Sequence, residues 1–119
     1  PSEIQRRAFA AVKTAQAAAI KAIKAGVKAS RPDEITYAIL KDAGFESEIT
    51  HLTGHGLGFR YHEPEPFLIQ GNDMKLRAGH TCTVEPGLYH REWGGIRLED
   101  NIAVTASGCD NLTPTPKVL

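Results

Sequence analysis

Gly44 marks a change of period that sets the class of fold. Before it the chain is almost all good helix formers; after it come short β-prone pieces separated by glycine, proline and asparagine. The first helix is expected over residues 2–25, with Ile4, Val12, Ile20, Ile23 and Val27 as an approximate apolar stripe among alanines. Ser2 and Gln5 make a capping box, and Gly26 supplies the stop. Lys13, Lys21, Lys24 and Lys28 read as a solvated face and a favourable end for the helix dipole. A second helix is expected over residues 32–43, with Ser30 as its cap, Asp33 and Glu34 in its first turn, and Gly44 as its stop. Ile35, Ile39 and Leu40 of that helix point to a core. Strands are expected over residues 48–52, 81–85, 87–90 and 96–105, and residues 113–119 read as an extended closing strand or loose end. The layout is α+β.

A chain of 119 residues suits a single domain, residues 1–119, with one core. Lysine plus arginine and aspartate plus glutamate are 14 each, so no charge excess argues for nucleic acid or an anionic membrane surface. Cys82 and Cys109 form no CxxC or Cys/His cluster, which fits a reducing compartment better than a disulfide framework. No apolar run approaches the ~20 residues needed to span a bilayer. A soluble, cytoplasmic protein is the expectation.

The chemistry-bearing residues concentrate in one stretch. Three of the five histidines, His51, His55 and His62, lie in HLTGHGLGFRYH, where Gly54, Gly56 and Gly58 let the backbone turn and approach a ligand closely. Phe59 stands where a GxGxxG loop needs its last glycine, and HExxH is absent, so neither a dinucleotide loop nor a helix-borne zinc site is supported. Glu85 follows TCTV and precedes Pro-Gly, at the end of a strand. Glu99 shares a strand face with Arg97, while Ile96, Leu98 and Asp100 take the other. One imidazole and two carboxylates from separate strands would make an oxygen-rich site for a divalent transition metal. Each has an ordinary structural reading too: His55 as a hydrogen-bonded core group, Glu85 as a turn acceptor, Glu99 as the ion-pair partner of Arg97.

Three motifs in order, GHGLGFRYHEPEP, LRAGHTCTVEPGLY and GGIRLEDNIAVT, resemble the C-terminal half of the pita-bread metallopeptidases, the family of methionine aminopeptidase, prolidase and Xaa-Pro aminopeptidase. The resemblance covers essentially the whole chain. It implies two helices followed by a curved, mainly antiparallel sheet. It implies His55, Glu85 and Glu99 as ligands of a two-metal centre (manganese, cobalt or zinc), with Glu99 as the bridge. His62 would contact the substrate and stabilise the tetrahedral intermediate, and Glu85 would also move the proton from nucleophile to leaving nitrogen. His51 and Arg97 match the proline-specific branch, as a substrate-binding or proton-transferring histidine and a substrate-holding or Glu99-ordering arginine. RLED, EPG and HLTGHGLG resemble the Xaa-Pro peptidases more closely than the methionine aminopeptidases, which implies cleavage of a bond preceding proline.

The family's two metal-binding aspartates come from a hairpin in the first half of the catalytic domain. Asp33, Asp42, Asp73, Asp100 and Asp110 do not lie in matching contexts. The expectation is therefore a part of a catalytic domain lacking its N-terminal half, inactive alone, with an exposed sheet edge and apolar seam. Either that missing half or a second copy in a dimer would cover the seam. A non-catalytic peptide- or protein-binding module that keeps the pocket is the alternative.

Overall fold

The computed structural model describes all 119 residues, Pro1 to Leu119. Helix α1 spans Glu3–Ala22, and its capping box is formed as expected: the Ser2 hydroxyl accepts from the Gln5 amide while the Gln5 side chain accepts from the Ser2 amide. The helix stops three residues before its expected end, and Gly26, with φ +86°, turns the chain beyond it. Helix α2 spans Ser30–Asp42, so Ser30 is its first helical residue and makes no cap. Gly44 ends it at φ +86°, as expected. The buried face of α1 is mostly alanine, Ala8, Ala11, Ala15 and Ala19 beside Val12 and Gln16. Small side chains let α2 lie close alongside, with Leu40 filling the space between them.

Residues 48–52 do not form the expected strand. A short 3-10 turn, Glu46–Glu48, is followed by irregular chain until β1, Gly54–Gly56. Then come β2 (Glu63–Leu68), β3 (Thr81–Val84), β4 (Gly87–His90), β5 (Gly94–Arg97), β6 (Asp100–Val104) and β7 (Cys109–Asn111). The expected single strand over 96–105 is two: Leu98 and Glu99 break it, and β5 pairs with β4 in a two-stranded ribbon while β6 joins the main sheet. That sheet is antiparallel in the order β2-β1-β3-β6-β7. β2 carries Pro64 and Pro66, the latter after a cis peptide bond, and it sits at the sheet edge where a missing N–H breaks no ladder.

Two apolar clusters hold these layers together. Ala19 of α1 and Ile23 just past its end pack on Leu68, Cys82, Val84, Ile102 and Val104 of the main sheet. Val12 and the alanines nearer the helix start pack with Leu40, Phe45 and Leu88 under the β4–β5 ribbon. His55 of β1, Glu85 just after β3 and Arg97 at the end of β5 line common clefts. The tail has no strand, but Lys117 reaches back to the buried Asp100 at 2.7 Å. No helix is long and apolar enough to cross a membrane.

Candidate active site

His55 is the middle residue of β1, and both neighbours must be glycine. A Cβ at Gly54 would lie 1.9 Å from the Thr83 carbonyl oxygen, and one at Gly56 would lie 2.1 Å from the Glu65 carbonyl oxygen. Flanking strands thus press on β1 from both sides and fix the imidazole between them. The His55 Nδ1–H donates to the Gly56 carbonyl at 2.9 Å, which leaves Nε2 as a lone pair toward the cleft. Glu85 follows the end of β3 and is buried; its backbone N–H donates to the Thr53 carbonyl at 2.7 Å. One carboxylate oxygen, Oε1, stands 3.0 Å from His55 Nε2. The Thr83 hydroxyl donates to that same oxygen at 3.0 Å and accepts from the His55 amide at 3.0 Å.

An acceptor nitrogen facing a carboxylate oxygen at hydrogen-bond distance repels unless a positive centre lies between them. A proton or a metal cation satisfies that demand, so the donor set fits a divalent ion at His55 and Glu85. Glu99 lies farther off, joined through a guanidinium: Arg97 Nε is 3.5 Å from Glu85 Oε2, and Arg97 Nη2 is 3.7 Å from Glu99 Oε2. The side chains as they stand form no group of three metal donors. The sequence-expected ligands therefore fall into a contacting pair, His55 and Glu85, and a third carboxylate held one arginine away.

His51, His55, His62, Glu85 and Arg97 line one cleft of about 490 Å³, with Leu52 and Phe67 as its apolar wall. An adjoining cleft of about 380 Å³ shares His55, His62, Glu85 and Arg97 and reaches Glu99. His62 is exposed at the rim, its ring edge-on to that of His55 at 4.1 Å between centroids. His51 is half-buried; its Nδ1–H donates to the Leu52 carbonyl at 2.7 Å, and its Nε2 accepts from the Tyr89 hydroxyl at 2.9 Å. All six residues singled out from the sequence thus border one connected depression. Thr83 and Tyr89 were not among them. Thr83 was legible in principle, because it stands two residues before Glu85 and so shares its strand face; Tyr89 offered no signal beyond following the Pro-Gly turn.

Residues 1–106 match the metallopeptidase family M24. The chain belongs to that family. This M24 chain is 37% identical over 119 residues to an Xaa-Pro dipeptidase of Pyrococcus furiosus, an alignment covering 100% of the chain and 34% of that relative. It is 39% identical over 119 residues to an Xaa-Pro dipeptidase of Lactobacillus helveticus, covering 100% of the chain and 32% of the relative. Among solved structures, dipeptidase PepE from Mycobacterium ulcerans superposes with a TM-score of 0.95 at 37% identity, over 100% of this chain and 32% of that one. An X-Pro aminopeptidase from Thermotoga maritima superposes with a TM-score of 0.94 at 33% identity, over 99% and 33%. The M24 chain thus spans about a third of the length of the curated relatives it matches. Its two helices and antiparallel sheet are part of the pita-bread fold.

Proposed function

We propose that this chain supplies part of the active site of a metal-dependent peptidase that hydrolyses bonds preceding proline, as an Xaa-Pro dipeptidase or aminopeptidase. The observation that carries the reading is His55 Nε2 set 3.0 Å from Glu85 Oε1, a pair that a proton or a metal cation can bridge, beside two further histidines in one cleft. His55, Glu85 and Glu99 would hold two divalent ions of manganese, cobalt or zinc type, with Glu99 as the shared carboxylate. Such ions supply, when bound, an activated water and a polarised scissile carbonyl. Glu85, buried and oriented by Thr83, carries the proton from the attacking water to the leaving nitrogen. His62, free at the rim, donates to the oxyanion, an interaction for which about 3 kcal/mol is typical per donor. His51 binds the substrate or moves a proton, with its ring fixed by Tyr89 and Leu52. Arg97, between the two glutamates, orders them.

Residues 1–119 make one structural unit in this reading, completed by an N-terminal half that carries two more carboxylate ligands or by a second copy of the chain. Support comes from the length of the relatives and from exposed Phe67 and Ile69 at the β2 edge. Two free cysteines support a reducing, cytoplasmic setting. The test is hydrolysis of Xaa-Pro dipeptides and Xaa-Pro-Xaa tripeptides with added manganese, cobalt or zinc. The 119-residue chain alone is expected to give no turnover. A protein of the relatives' length carrying this sequence is expected to turn them over, and His62→Ala should lower its kcat by about 10²–10³-fold. Turnover by the chain alone above a Glu85→Gln control would contradict completion by an N-terminal half and would place the missing carboxylates in a second copy or in an aspartate of this chain. No turnover by the longer protein would contradict the peptidase reading.

A further inference from the structure

Asp33, in the first turn of α2, lines a neighbouring pocket with His51, Leu52 and Thr53, and we infer that it is a positioning residue for the candidate metal centre. The inference rests on the peptidase reading above. Its carboxylate is buried and is met by no cation: the nearby Arg31 is turned to Glu34 and Lys28 to Asp73. Instead, Oδ1 accepts from the Thr53 amide at 2.9 Å and from the Thr53 hydroxyl at 2.6 Å, and Oδ2 accepts from the Gln70 amide at 3.0 Å. One side chain thereby ties the chain entering β1 to the chain leaving β2.

Thr53 is the residue through which this tie reaches the site. Its carbonyl accepts from the Glu85 amide at 2.7 Å, and two positions on stands His55. The Thr53 backbone therefore bears on both members of the contacting pair: on Glu85 through a hydrogen bond, on His55 through the covalent chain. Gly54 between them is pressed against the Thr83 carbonyl, so a shift at Thr53 is passed on rather than absorbed. A carboxylate suits the task because both oxygens only accept, and each meets a donor. Asparagine at 33 would keep the shape but turn one acceptor into a donor facing an N–H or O–H.

Groups that support metal ligands through hydrogen bonds typically change affinity by about 10–100-fold when removed. The test is a cobalt(II) titration followed by visible absorption, on wild type, Asp33→Asn, Thr53→Val, Thr53→Ser and Glu85→Gln. Each is measured well below its own unfolding midpoint by circular dichroism. Asp33→Asn is expected to weaken cobalt at least about tenfold and to alter the absorption band. Thr53→Val should weaken it less, and Thr53→Ser, which keeps the hydroxyl, should restore wild-type behaviour. Should Asp33→Asn fail to fold, the Thr53 pair decides. Folded Asp33→Asn and Thr53→Val that titrate like wild type would overturn the positioning role and leave the metal centre standing. Equal titration of wild type and Glu85→Gln would overturn the metal-centre reading and this inference with it.

Discussion

Among single residues, Cys82 shows how fully the sheet's inner face is closed. It lies in β3 under α1 with no exposed surface, and burial pushes its thiol up to about 12. Cys109 is half-buried, its thiol donating to the Ile20 carbonyl at 3.4 Å. Maleimide at pH 8, read by mass spectrometry, is therefore expected to modify Cys109 first and Cys82 only on unfolding. Modification of Cys82 in the folded protein would contradict this packing. At the same scale, residue type and spacing marked His55, Glu85 and Glu99 only as candidates, and it was the resemblance of three motifs in order that implied a shared role for them. Asp33 was not so marked. Its position read as an ordinary acidic first turn, and only the return of residues 53 and 70 to that place gives it another role. Gln16 was hidden for the same reason: a polar residue within an alanine-rich helix, it is buried and donates to the Val84 carbonyl at 3.1 Å.

At the level of elements, β1 is the tightest joint. Gly54→Ala would drive a methyl into the Thr83 backbone, where nothing flexible can give way. It is expected to cost at least the ~1–3 kcal/mol of an overpacked core and to part β1 from β3. Gly58→Ala, whose nearest new neighbour is the Glu63 side chain at 3.1 Å, serves as the tolerated comparison. Thermal unfolding of the two variants checks this, and equal midpoints would contradict it. The helices and the strands near 81–84 and 87–90 were legible from period and punctuation. β2 was not, since two prolines in six residues argue against a strand unless its N–H side faces an edge. The break at Leu98 and Glu99 was equally hidden. Alternation continues along the sequence, but β5 and β6 belong to different sheets, and Asp100 turns inward to Lys117.

Over the whole molecule, large apolar side chains remain exposed where the main sheet ends. Phe67 and Ile69 stand at the β2 edge, Leu112 follows β7, and Phe59 and Tyr61 project from the loop after β1. The exposed groups on and near the β2 edge, Phe67, Ile69, Phe59 and Tyr61, agree with the proposal that more protein packs against that end of the sheet. Phe67 and Tyr61 also line the two clefts, so completing the fold and completing the site are proposed to be one event. The central claim remains that His55, Glu85 and Glu99 hold metal together. It is tested most directly by adding substoichiometric manganese(II) to the ¹⁵N-labelled chain and mapping which amide signals broaden. The account predicts broadening centred on residues 54–56, 84–85 and 97–99, abolished by Glu85→Gln. Broadening centred elsewhere, for instance about Asp73 or Asp110, or unchanged in that variant, would contradict it.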